Sequence, residues 1–292
     1  MPRSSTAKVV FWMSLAMLAF STMAVSIRSL AGALSIFEIL TIRSASGLVV
    51  LSALLVARPE LRASVFSQRI ALHLVRNTVH FAAQYAWALS VTLLPLATVF
   101  AIEFTTPAWV ALFAVLLLGE RLTASRAGAV VLGIAGIAVI LRPGVATFRP
   151  AALLVLFAAL GFAVALVTTK KLTGRATTVA ILFWMNAMQL PLGLAGSDLA
   201  FVTRLGPADV PALLGIAASG LLSHYALTNA FRSGDATLVV PLDFLRIPVI
   251  ALVGRLFYAE VLDPFVFLGA ALIIVGIVWN LRAEAGAARG EP

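Results

Sequence analysis

His73, Arg76 with Asn77, His80, Gln84 and Trp87 follow one another at spacings of three and four. Such spacing sets side chains along one face of a helix. The residues between them are apolar, so the stripe is expected to line a solvated path or another polar helix and not to face lipid. A membrane histidine commonly bonds a neighbouring helix; the stripe favours a cavity-facing position for His80 and Gln84. Six ionisable residues fall inside apolar runs: Glu38, Arg43, Arg76, Glu103, Asp243 and Arg246. Charges at membrane depth are costly and normally pair or face water. Three acids against three bases permit full pairing, so Arg43 and Arg76 read as structural charge pairs and Glu38 as an interfacial residue. Glu103 and Asp243 stand 140 positions apart, and either can carry a proton in a coupling step. Arg246, three residues after Asp243, offers it a local salt bridge. Thr106, Trp184, Asn186, Gln189, His224, Tyr225 and Asn229 add hydroxyl, amide and aromatic groups. The expected substrate-contacting set is His80, Gln84, Glu103, Thr106, Trp184, His224, Tyr225, Asp243 and Arg246. Trp184 lies within its run, where it either stacks on a substrate or packs in the core.

Composition decides what kind of element must hold these groups. The chain of 292 residues is 62% hydrophobic and 11% charged, with mean hydropathy +1.06. A soluble domain of this length needs far more charge on its surface. Apolar runs of about 20 residues recur throughout, each long enough to cross a bilayer as a helix. They lack period-2 alternation, which excludes barrel strands. No cysteine is present, which removes disulfides, thiolate catalysis and thiolate metal sites. A metal-binding cluster and a Ser-His-Asp spacing are also missing from the sequence, so neither a metal nor a cofactor is expected. The net charge of +9 is scattered through short loops, which fits membrane anchoring and not a nucleic-acid partner.

Ten spans are predicted, at residues 9–29, 36–57, 70–93, 97–118, 124–141, 151–169, 177–195, 209–231, 236–258 and 264–281. Lys and Arg divide 13 to 5 between the two sets of loops, which puts both termini in the cytoplasm and the chain in a bacterial-type inner membrane. A shift of 140 aligns 103–140 with 243–280 without a gap, with ten of 38 positions identical, among them Phe104/Phe244, Glu120/Glu260 and Gly136/Gly276. Each half then holds five spans, an odd number, so the second half enters the membrane inverted. Inverted repeats are the hallmark of secondary transporters. The expected organisation is two inverted five-helix repeats, 9–141 and 151–281, followed by a cytoplasmic tail, 282–292.

Arg43, the stretch from Ala86-Trp-Ala-Leu through Leu94-Pro-Leu-Ala-Thr, Thr106-Pro107, Leu118-Gly-Glu-Arg-Leu-Thr and Gly128, Gly133 and Gly136 together resemble the drug/metabolite transporter superfamily, specifically its ten-helix EamA-type carriers. The second half repeats the pattern more loosely as Pro248, Ala259-Glu-Val-Leu, Gly269 and Gly276, with Ala259 where the first half has Gly119. The resemblance implies a proton-linked or facilitative carrier of a small organic solute, with a midplane cavity lined by spans 1, 3, 4, 6, 8 and 9. Such carriers are often exporters of amino acids, including aromatic ones. Uptake of a vitamin or nucleoside-like compound is the alternative within the class. Outside it stands an integral membrane enzyme acting on lipid-linked substrates, for which the loops are short and carry no catalytic cluster. Oligomeric state is not legible in the sequence.

Overall fold

A computed structural model describes residues 6–65, 69–119, 122–142, 149–173, 176–233, 239 and 242–289. Among the described residues all regular structure is helical. In chain order the helices are α1 Thr6–Leu30, α2 Ile36–Ala57, the short α3 Arg62–Val65, α4 Ile70–Leu93, α5 Leu96–Glu103, α6 Thr106–Leu118, α7 Ala124–Leu141, α8 Ala152–Thr173, α9 Thr178–Ala195, α10 Val210–Ser233, α11 Arg246–Tyr258 and α12 Pro264–Arg289. Eight segments among them are long and apolar enough to cross a membrane, α5 and α6 counting as one. Helix α4 has the length, 24 residues, but its polar stripe lowers its hydropathy. Glu120 and the turn at Gly234 and Asp235 lie outside the described residues.

Side-chain chemistry sets the helix starts. Ser35 caps α2 and Glu38 reaches back to the Ser35 N–H, forming a capping box, and Thr123 and Thr177 cap α7 and α9. The fourth predicted span is not one helix but α5 and α6, broken at Phe104 and Thr105. Pro107 supplies the reason, because its ring clashes with the carbonyl four residues back, at Glu103. That carbonyl instead accepts the Thr106 hydroxyl at 2.6 Å, and Ile102 C=O accepts the Thr105 hydroxyl at 2.7 Å. The ninth span bends in the same place: Phe244 and Leu245 precede α11, and Pro248 lies four residues beyond Phe244. Both second segments end in a left-handed residue, Gly119 at φ 70° and Ala259 at φ 50°. Ala259 thus holds the glycine conformation without being glycine, at a cost in strain. Helix α12 runs on to Arg289, so most of the expected tail continues the helix.

Helix α1 packs chiefly on α10, α4 on α8, α2 on α9 and α7 on α12, while α5 lies on α11. Replacing each run by its counterpart in the other half exchanges the first two pairings and preserves the rest. Residues at equivalent positions meet: the Phe104 and Phe244 rings lie edge-on at 4.9 Å. On the α7–α12 seam Gly136 lies against Gly269, and Gly276 against Ala129, the same contact carried over by the 140-residue shift. A side chain at Gly136 would place its Cβ 2.6 Å from the Gly269 carbonyl oxygen, so the seam requires small residues. Salt bridges tie the same two helices at both ends, Arg142 with Asp263 and Arg126 with Glu284.

Candidate substrate site

The breaks in the fourth and ninth runs place Glu103, Asp243 and Arg246 together. Arg246 Nη2 donates to Asp243 Oδ2 at 2.8 Å, and its Nη1 lies 3.8 Å from Glu103 Oε1. Glu103 also accepts the Trp87 indole N–H at 2.7 Å. The Arg246 guanidinium is enclosed by three rings: Phe20 at 4.4 Å, Phe104 at 4.8 Å and Phe100 at 5.3 Å from its central carbon. Its side chain is 5% exposed, while Glu103 and Asp243 retain 18% and 17%. Two carboxylates therefore share one desolvated cation, held by cation–π contacts and an ion pair. Arg246 Nε and Nη1 and Asp243 Oδ1 nevertheless have no hydrogen-bond partner.

A second polar centre lies on the stripe of α4. Arg43 of α2 donates from Nη1 to Gln84 Oε1 at 3.0 Å. Arg76 donates to Asn77 Oδ1 at 2.6 Å and to the Thr169 hydroxyl of α8 at 3.2 Å. Asn77 passes its amide protons to Trp184 C=O and Met188 Sδ on α9. The Gln189 amide nitrogen lies 2.9 Å from His80 Nδ1; with the amide donating, the imidazole carries its proton on Nε2. All of these side chains except Thr169, Trp184 and Met188 lie inside the bundle, His73, Asn77 and Gln189 with no exposure at all. His224 of α10 meets Phe20 edge-on at 6.3 Å, so Phe20 touches both His224 and Arg246 and stands between the centres.

The expected charge pairs at Arg43 and Arg76 do not form: among the described residues neither meets a carboxylate. The acids are engaged elsewhere, Glu103 and Asp243 by Arg246, and Glu38 by Arg204 beyond the end of α9. Glu38 is 2% exposed, so it is a buried anchor at the start of α2. Tyr225 does not join either centre. It is 59% exposed against Trp12, because the buried stripe of α10 runs through Ser219, Ser223, Ala226 and Ala230 and Tyr225 lies roughly a third of a turn off it. Trp184 brings its ring to the stripe at His73, 6.2 Å between centroids, while its indole N–H donates to Val65 C=O at 2.8 Å and fixes α3 to α9. Thr106 spends its hydroxyl on the helix break. His80, Gln84, Glu103, His224, Asp243 and Arg246 are the expected residues that the fold gathers in the two centres.

Several contributors escape sequence reasoning. Phe20 carries no signal beyond being one aromatic among many. Arg28 and Glu260, both expected in loops or helix ends, form a partly buried ion pair. Arg28 also donates to Val91 C=O at 2.8 Å and to Leu94 C=O, and Glu260 accepts the Leu96 N–H at 2.9 Å. This network clamps α1, the α4–α5 turn and the segment after α11. A cavity of about 410 Å³ between α2, α4 and α8 lies apart from both centres and has an apolar lining that includes Phe37, Phe81, Tyr85 and Phe157.

The profile described as the EamA-like transporter family matches residues 7–142 and again 149–282. A riboflavin transporter of Rhizobium johnstonii is 32% identical over 215 residues, 73% of this chain and 70% of that protein. An S-adenosylmethionine uptake transporter of Rickettsia felis is 25% identical over 213 residues, 73% and 72% of the two chains. A pseudopaline exporter of Pseudomonas aeruginosa is 27% identical over 275 residues, 93% and 95% of the two. Among solved structures, a crystal structure 20% identical in sequence superimposes with a TM-score of 0.63 over 99% of this chain and all of the other, a likeness of fold.

Proposed function

We propose that this chain, which belongs to the EamA-like transporter family, is a secondary carrier that moves a small organic metabolite across a bacterial inner membrane by alternating access. It is a membrane transporter of small molecules and not an enzyme. In this reading ten spans form two inverted repeats, 9–141 and 151–281, with both termini and the tail 282–292 cytoplasmic. The observation that carries it is the reciprocal packing of the halves, α1 on α10 against α4 on α8, around two runs broken at equivalent positions. Two equivalent halves can exchange their conformations, which supplies inward-open and outward-open states from one architecture. The breaks place ionisable groups beside irregular backbone inside the bundle, a device used where solute or ion must pass. Glu103 and Asp243 are the candidates for proton coupling.

For the solute, amino-acid export, including aromatic amino acids, rests on the motifs alone. Uptake of a vitamin or nucleoside-like compound is favoured by relatives named for riboflavin and S-adenosylmethionine. Counterflow in liposomes tests both with labelled amino acids, nucleosides, flavins and organic cations. Exchange of one class, competed by its unlabelled form, supports the carrier and names the solute. No exchange of any class by folded protein sinks it. Glu103→Gln or Asp243→Asn should slow that exchange while leaving insertion intact; wild-type rates from both remove these acids from the mechanism.

A further inference from the structure

Arg43 and Arg76 are 4% and 7% exposed, and among the described residues each guanidinium bonds only neutral oxygens, those of Gln84, Asn77 and Thr169. Both reach the striped face of α4, Arg43 at Gln84 and Arg76 at Asn77. Like charges buried together without a counter-charge repel, and the loss of hydration is not offset by amide and hydroxyl dipoles alone. The surroundings leave further hydrogen-bonding capacity unspent. Arg43 Nε has no partner. Neither has the hydroxyl of Ser44, the next residue along α2, nor those of Ser219 and Ser223 on α10. Those two serines flank Gly220, against which the Arg43 side chain lies: a Cβ there would fall 3.1 Å from Arg43 Cγ and 3.2 Å from its Nε. The one-atom side chain at Gly220 thus makes room for the guanidinium. Buried polar atoms are nearly always satisfied, and two buried guanidiniums with this much unspent capacity, against one unpaired acceptor at Gln189 Oε1, mark a place built for an anion.

We infer that the Arg43–Arg76 centre is a subsite for an anionic group, a carboxylate or a phosphate monoester, on the transported solute. Planar guanidinium donors match the paired oxygens of either group. The serine hydroxyls and the His80 Nε2–H complete a set of donors around the anion, and its charge removes the repulsion between the arginines. The centre formed by Glu103, Asp243 and Arg246 is separate, across Phe20, and already holds its own counter-charges. The inference deepens the carrier reading and rests on it for the word transported; anion binding itself does not depend on transport.

The test is thermal unfolding of the purified, full-length protein in detergent, with sodium benzoate, disodium phenyl phosphate, neutral benzamide, and sodium chloride at matched ionic strength. A ligand that binds only the folded state raises the unfolding temperature with the logarithm of its concentration once that exceeds the dissociation constant. Benzoate or phenyl phosphate should raise it above chloride and benzamide, and whichever acts distinguishes carboxylate from phosphate. Arg43→Gln should raise the concentration needed for a given upward shift by about tenfold or more, the loss expected for one charge-assisted hydrogen bond. Arg43→Lys should restore part of it. Arg58→Gln, at the exposed end of α2, keeps the anion effect. Equal shifts from benzoate and benzamide, an anion effect unchanged in both Arg43→Gln and Arg76→Gln, or no shift beyond chloride would each overturn the subsite. Counterflow activity alongside a negative anion test would sink the subsite while leaving the carrier in place.

Discussion

Replacing Arg246 by Gln leaves Glu103 and Asp243 facing each other across the broken helices with no cation between them. The arginine gives Asp243 a 2.8 Å hydrogen bond and Glu103 a 3.8 Å ion contact, and it lies over three phenylalanine rings. Removing one partner from a buried charge group costs about 3–5 kcal/mol. At about 2 °C per kcal/mol for a chain of this size, the unfolding temperature should fall by about 6 °C or more. Adding Asp243→Asn should return about half of the loss. Asp243 is the nearer acid, and Glu103 keeps its Trp87 hydrogen bond at 2.7 Å. Arg246→Lys should fall between wild type and Gln, because the charge survives while the planar stacking surface does not. Thermal unfolding of wild type, Arg246→Gln, Asp243→Asn and the double mutant in one detergent completes a double-mutant cycle. A drop of under about 2 °C for Arg246→Gln, or no recovery on adding Asp243→Asn, would refute the claim that one guanidinium holds both halves together at their breaks.

Ala259→Gly should raise stability by about 0.5–1 kcal/mol, since it relieves a left-handed alanine; Gly119→Ala should lower it by a similar amount, and an unchanged unfolding temperature in both would show that the two caps carry no strain. Glu260→Gln removes the ion pair to Arg28 while keeping an acceptor for the Leu96 N–H, so it should cost about 1.5–3 kcal/mol and be nearly silent in an Arg28→Gln background; an undiminished loss there would break the proposed clamp. Gly136→Leu puts its Cβ into the Gly269 carbonyl and should abolish a monodisperse peak in size-exclusion chromatography, whereas Gly32→Ala, with open space around it, should not.

The helices were legible because length and hydropathy fix them: α2, α4 and α7 occur where the apolar runs put them, at 36–57, 70–93 and 124–141. The broken fourth run was half legible. Thr106-Pro107 announces a bend, but only the i−4 clash at Glu103 and the two threonine hydroxyls say where the helix stops and how the freed carbonyls are satisfied. The stripe of α4 was read correctly as one face, since spacing alone settles that. Which helix each member meets depends on the order in which five helices pack, and nothing in local spacing carries that. Trp184 illustrates the gap: its place within a run allowed stacking on a solute, yet the neighbour that takes its N–H is the backbone of Val65, 119 positions away.

The charge inventory failed for a related reason, and the failure is informative. Three acids and three arginines within the runs balance on paper, but pairing is decided by distance and not by number. The 140-residue correspondence sets Glu103 and Asp243 at equivalent breaks, and Arg246, one turn on, falls between them. That geometry spends two acids on one arginine. The third acid, at the first turn of α2, is claimed by Arg204 from a loop that the inventory of runs excluded. Arg43 and Arg76 are therefore left over by topology, and compositional balance hides the surplus. A buried cationic centre of this kind is costly for the empty protein, so its persistence among amide, imidazole and hydroxyl groups points to an anion as the missing member of the set.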